Sequence, residues 1–211
     1  MSAAGVAESM ITQEDKQMIL YLHGFLSSPQ TLKARLIEAR LHALGIADVW
    51  HCPALPVSPK AAIELIERTL ALAKAADDHQ EVTVIGSSLG GYYATWLAER
   101  HGFRTVLLNP VTKAQYFMQQ YLGLQPQSHG GSVLVEPRYL DELGALEVAQ
   151  VTRLDRYYLI AATGDEELDY RDMLAKYAGA TTVLIEGGDH AISDFPVYLD
   201  GVLAFCGIGP K

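Results

Sequence analysis

Val84-Ile85-Gly86-Ser87-Ser88-Leu89-Gly90-Gly91 sets two serines between glycines, directly behind a β-branched run that begins at Val82. A short apolar run closed by glycine reads as a buried strand, and the glycines beyond it mark a tight turn. In the pattern Gly-x-Ser-x-Gly a nucleophilic serine sits on a strained strand-to-helix turn whose neighbours two before and two after must be small. Ser88 has Gly86 and Gly90 at those positions, whereas Ser87 has Ile85 and Leu89. The frame therefore selects Ser88. A dinucleotide loop fits less well, because the middle glycine of Gly-x-Gly-x-x-Gly is missing, and a phosphate loop would need a lysine. The plain alternative is a glycine turn in which Ser88 only caps the following helix.

Working outward, the same strand-then-helix rhythm recurs on both sides. Met18 to Leu22 and Asp48 to Pro53 read as strands before it. Thr105 to Leu108, Tyr157 to Ala162 and Thr181 to Ile185 read as strands after it. Ser28-Pro29 and Ser58-Pro59 supply helix start signals. Leu32, Leu36, Ala39 and Ala43 then form one apolar face, and Ile63, Ile66, Leu70 and Ala73 another. Further helices are expected at Gly91 to Arg100, near Arg171 to Tyr177, and over Phe195 to Phe205. Continuous apolar strands alternating with amphipathic helices predict a doubly wound α/β domain, its mostly parallel sheet covered on both faces. Residues 112–156 break the rhythm and are expected to form a small cap-like insertion on the sheet's C-terminal rim, with a helix near Tyr139 to Val148. Residues 1–16 read as a flexible N-terminal extension, and 17–211 as one domain.

Composition narrows the function. Of 211 residues, 49% are hydrophobic and 19% charged, and 16 basic against 25 acidic side chains leave a net charge of −9. No basic cluster offers a surface for nucleic acid or an anionic membrane. No segment approaches the roughly 18 apolar residues needed to span a bilayer, so a cytoplasmic protein without membrane insertion is expected. The two cysteines, Cys52 and Cys206, stand in no metal or redox motif and read as reduced thiols.

A serine hydroxyl needs a base within reach and an acid to orient that base. His190, in "EGGDHAISDF" beyond the last strand, is the candidate base. His42, His51, His79, His101 and His129 lie on helices, in a strand or in the insertion and read as solvated or structural. The acid is expected beyond the preceding strand, where Asp165, Glu166, Glu167 and Asp169 compete. Asp165 is preferred because it comes first after Gly164, while Asp189 is too close in the chain to His190. The backbone amides of Leu89, at a helix N-terminus, and of Phe25, after the first strand, are the expected oxyanion donors. His23 is read as a brace for the Phe25 loop.

Five blocks, "ILYLHGFLSSP", "VIGSSLGGYYATWLAE", "LLNPV", "TGDEELDY" and "GGDHAISDF", resemble the YqiA/YcfP family of small bacterial α/β-hydrolase-fold esterases, over about Met18 to Phe205. The resemblance implies an α/β-hydrolase fold, with Ser88 as nucleophile, Asp165 as acid, His190 as base, and the Phe25 and Leu89 amides as the oxyanion hole. It also implies hydrolysis of short acyl esters or acyl-CoA thioesters. No metal or organic cofactor is expected, and the partner is a small acyl ester or thioester. The rival readings are an acyl-CoA thioesterase and a non-catalytic binding protein on the same fold. Tyr116, Phe117, Met118, Tyr121 and Leu122 either line an acyl pocket or pack the insertion onto the sheet.

Overall fold

The computed structural model describes residues 17–77, 80–126 and 131–209. The N-terminal stretch 1–16, His79 and His129 lie outside the described residues. In chain order the elements are β1 (Gln17–Leu22), α1 (Leu32–Ala43), β2 (Trp50–His51), α2 (Pro59–Ala76), β3 (Glu81–Ser87), α3 (Leu89–His101) and β4 (Arg104–Leu108). There follow α4 (Ala114–Gln119), β5 (Gly123–Pro126), β6 (Ser132–Val135) and α5 (Arg138–Gly144). The chain then returns through β7 (Tyr157–Ala162), α6 (Tyr170–Lys176), β8 (Thr181–Ile185) and α7 (Leu199–Phe205).

Six strands form one parallel sheet in the order β2-β1-β3-β4-β7-β8. The order reverses between β1 and β3, so the crevice beyond their C-terminal ends is the place where such sheets bind ligands. Successive side chains of a strand point to opposite faces, which divides the core in two. Met18, Leu20, Leu22, Val84, Leu107 and Leu159 pack against α2, α3 and α6. Ile19, Tyr21, Ile85, Val106 and Ile160 pack against α1 and α7.

Several local expectations shift by a turn. Helix α1 is capped by Thr31, whose hydroxyl accepts from the Ala34 amide, while Ser28-Pro29 lies in the preceding loop. Its buried face is Lys33, Ala34, Ile37 and Leu41 in place of Leu32, Leu36, Ala39 and Ala43, and Leu32 is exposed. Helix α2 follows its signals: Ser58 caps the Ala61 amide, Pro59 is the first residue, and Ile63, Ile66 and Leu70 face inward. Strand β2 is only two residues long, and Phe195–Val197 is a 3-10 turn ahead of α7.

The segment between β4 and β7 holds α4, the antiparallel β5–β6 hairpin and α5. It is tied to the rest by Glu142, which accepts from the Ser58 hydroxyl and the Lys60 amide, and by the Tyr92 hydroxyl, which donates to the Leu143 carbonyl. No helix among the described residues is long and apolar enough to cross a membrane. Burial pushes the Cys52 and Cys206 thiols up to about 12, too high for a reactive thiolate at neutral pH.

Candidate active site

Ser88 occupies the bend between β3 and α3 with φ 53° and ψ −123°, a conformation that L-residues reach only under strain. Three contacts enforce it. A Cβ at Gly86 would lie 2.5 Å from the Gly90 carbonyl oxygen, one at Gly90 would collide with the Leu22 carbonyl, and one at Gly91 would lie 2.6 Å from Pro110 Cβ. The helix thus presses onto the ends of β1 and β4 through backbone alone. The Ser88 amide donates to the Leu108 carbonyl, and the Ser88 carbonyl accepts from Gly91 and Val111. The Ser88 side chain makes no capping hydrogen bond, so the reading of Ser88 as a helix cap does not hold.

Strain recurs around this point. Among the described residues five non-glycines have positive φ, and four of them, Leu26, Ser88, Asn109 and Ile192, lie in the loops after β1, β3, β4 and β8. Backbone strain gathered on one rim is a pointer to a functional site.

Across the rim, the carboxylate of Asp165 lies fully buried, with Oδ2 2.8 Å from His190 Nδ1. Oδ1 accepts from the amides of Glu167 and Leu168, both at 2.9 Å. The competing acids find other duties on the same histidine. Glu166 accepts the His190 backbone N–H at 2.9 Å, and Glu167 Oε2 stands 3.7 Å from His190 Nε2. Asp169 caps α6 and pairs with Arg171, which holds its carboxyl below the usual range. Asp189 binds the amide and hydroxyl of Ser193.

The histidine loop is held by its backbone. Asn109, fully buried at the end of β4, donates through Nδ2 to the carbonyls of Asp189 and His190, both at 3.1 Å, and accepts the Ala162 amide at 2.9 Å. Lys33 Nζ donates to the next carbonyl, that of Ala191. Neither residue had been singled out from the sequence. The left-handed backbone of Asn109, φ 42°, is visible only in the structure, and no local sequence pattern marks the residue.

Ser88 and His190 line one cavity of about 480 Å³, together with Tyr21, Gly24, Phe25, Lys33, Ser87, Phe117, Tyr121 and Glu167. No hydrogen bond joins Ser88 to His190; the imidazole Nε2 faces Glu167 instead. Gly24 packs on the serine, where an added Cβ would sit 3.2 Å from Ser88 Cβ and 3.6 Å from its Oγ. Phe25 borders both this cavity and an adjoining recess of about 90 Å³ that Leu89 lines. Leu89 is the first residue of α3, so its amide has no acceptor within the helix. His23 is buried between the Gly24 carbonyl, 2.9 Å from Nδ1, and the Leu55 amide, 3.0 Å from Nε2. Those partners define a neutral ring with the proton on Nδ1, a brace for the loop. Of the aromatic cluster in the insertion, Phe117 and Tyr121 line the cavity, Met118 is core and Tyr116 is exposed. His101 pairs with Glu67 at 2.9 Å, away from the site.

A parallel sheet of this order, with a serine bend after β3 and acid and histidine loops after β7 and β8, is the α/β-hydrolase fold. Solved structures of that fold superpose on it. Est1E from Butyrivibrio proteoclasticus is 16% identical, with a TM-score of 0.67 over 93% of this chain and 88% of its own. A structure from the metagenome-derived lipolytic enzymes LipS and LipT gives 17% identity and 0.61, over 92% and 94%. Mouse alpha/beta hydrolase domain-containing protein 10 gives 17% and 0.60, over 88% and 89%. The chain belongs to the uncharacterised protein family UPF0227, the YqiA/YcfP family, whose model matches residues 18–207.

Proposed function

We propose that the protein is a serine hydrolase that cleaves carboxylic esters of short to medium acyl chains through an acyl-enzyme. The observation that carries this reading is the shared cavity, with the strained Ser88 on one side and the Asp165–His190 pair on the other. Ser88 Oγ attacks the acyl carbonyl as His190 Nε2 takes its proton; the collapsing intermediate expels the alcohol, which leaves with that proton. Water then attacks the acyl-serine, His190 again receiving and returning a proton, and the carboxylic acid is released. Asp165, on Nδ1, keeps Nε2 free to accept and steadies the imidazolium. Such nucleophile–base hydrogen bonds commonly tighten only in the substrate complex, so the imidazole must turn from Glu167 toward Ser88 when an ester binds. The Leu89 and Phe25 amides are assigned to the oxyanion, the former aided by the positive end of α3. The aromatic wall of Phe25, Phe117 and Tyr121 suits an acyl chain, and the cavity volume suits a small one.

A fluorophosphonate probe tests the reading, combined with a panel of acyl esters and acyl-CoAs of graded length. Labelling should map to Ser88, vanish in Ser88→Ala and persist in Ser87→Ala. Ester turnover should fall on the order of 10⁴-fold or more in Ser88→Ala. Faster turnover of acyl-CoAs than of esters would move the assignment to a thioesterase, and labelling retained in Ser88→Ala would remove it.

A further inference from the structure

Lys33 is the only buried lysine or arginine among the described residues, with 7% of its surface exposed. It stands at the second position of α1, where a helix tolerates a cation poorly. Its ammonium has three donors and uses one, on the Ala191 carbonyl. No carboxylate among the described residues forms an ion pair with it. Asp165 and Asp189 act on it from a distance and favour its charge, but the first is committed to His190 and the second to Ser193. A buried charge with idle donors is expensive, and the cost is recovered where a ligand completes its shell.

The same cavity is lined by a second poorly satisfied polar group. Tyr21 is wholly buried, and its hydroxyl lies within reach of the Thr31 and Ser87 hydroxyls without forming a well-aligned hydrogen bond to either. Tyr21, Thr31, Lys33 and Ser87 all line the cavity that holds Ser88. Tyr21 packs in the α1 and α7 core, whereas Phe25, Phe117 and Tyr121 pack in the opposite one. The cavity therefore has a polar, cationic wall and an aromatic wall, and Glu167 borders the aromatic one beside Phe117 and Tyr121.

We propose that the polar wall is an anion subsite, in which Lys33, with the hydroxyls of Tyr21, Thr31 and Ser87, receives a carboxylate carried by the substrate a few carbons from the ester. The single positive charge matches a carboxylate better than a doubly charged phosphate, which calls for a fork of donors or a second cation. The inference rests on Ser88 being the nucleophile and adds a substrate class, the half-esters of dicarboxylic acids.

The test compares the monomethyl esters of succinic, glutaric and adipic acid with neutral, ketone-ended methyl esters of the same lengths, by titration of the acid released. At one length or more the half-ester should have a kcat/KM at least tenfold above its neutral counterpart. Lys33→Met should bring that ratio to one or below, whatever it does to both rates, and Lys33→Arg should restore part of it. A ratio of one or less at all three lengths in the native protein, or a ratio unchanged in Lys33→Met, overturns the subsite. Should Lys33→Met not fold, protection of Ser88 from the fluorophosphonate by glutarate against pentanoate gives the same discrimination in the native protein. Equal protection by the two acids would sink the proposal. If the neutral esters turn over and Ser88 is labelled while acidic esters gain nothing, only the subsite falls. If neither class turns over and no label appears, the hydrolase reading falls with it.

Discussion

Asn109 grips His190 by its main chain: the carboxamide spans from the end of β4 to the carbonyls of Asp189 and His190, while its oxygen receives the Ala162 amide of β7. One buried side chain thus fixes the histidine loop against two central strands. Asn109→Ala removes all three bonds, leaves the buried Ala162 amide without an acceptor, and puts alanine at φ 42°. A loss of about 2–4 kcal/mol is expected, from an orphaned buried donor together with the strain. Ester turnover should fall tenfold or more under conditions where the variant is still folded. Urea unfolding and kcat/KM measured side by side check both, and an Asn109→Ala protein of native stability and activity would refute the clamp.

The three acids around His190 should separate by function. Asp165→Asn places an amide opposite Nδ1 and, under the proposed mechanism, should cost on the order of 10³–10⁴ in kcat, as loss of the orienting acid does in serine-protease triads. Glu167→Gln, facing Nε2 from 3.7 Å, should retain most activity. Glu166→Gln keeps an acceptor for the His190 amide and should be nearly silent. A dead Glu167→Gln beside an active Asp165→Asn would exchange their roles.

Two glycines of the rim should fail in different ways. Gly90→Ala drives a methyl into the Leu22 carbonyl and should abolish folding or cost several kcal/mol, since backbone cannot yield there. Gly24→Ala meets Ser88 Cβ at 3.2 Å, with no left-handed backbone to strain, so the fold should survive. Its methyl crowds the space over Ser88 Oγ, and turnover should fall tenfold or more. Thermal melting and ester kinetics on the pair separate the two outcomes.

Burial lowers the Lys33 ammonium from the usual lysine value to about 8. Below pH 8 Lys33 is protonated both folded and unfolded, and its burial costs the fold on the order of 3 kcal/mol. Between pH 8 and the ordinary lysine value the unfolded chain holds one more proton, so this cost is relieved as pH rises. Lys33→Met should therefore gain stability at pH 7, less about 1 kcal/mol for the hydrogen bond to Ala191, and the gain should shrink above pH 8. Over the same range the preference for half-esters should fade. Asp165, Asp189, His190 and Glu167 share that neighbourhood, so denaturant midpoints of both proteins are compared at each pH.

The sheet, most of its helices and the glycine-flanked bend at Ser88 were legible because each rests on local pattern: apolar runs, capping residues and glycine spacing. The preference for Asp165 rested on its place behind Gly164, and it is the acid that meets the imidazole. The face of α1 departs from the apolar periodicity because Lys33 takes an inward position and Leu32 is exposed, both beside the cavity. Asn109 was hidden for another reason. Its partners lie 53, 80 and 81 residues away in the chain, a relation that no local pattern encodes.

Among the described residues strand β8 closes one edge of the sheet and pairs only with β7, and of its five residues Ile185 alone is buried. The loop bearing His190 hangs from this strand. An edge with so few apolar contacts opens at lower free energy than the centre of the sheet. Amide hydrogens of β8 should exchange faster than those of β3 and β4, and in rising urea hydrolysis should cease before the global transition. Ser88, lodged between β1 and β4, would stay in place through that first opening, leaving a reversibly silent protein whose interior is still intact.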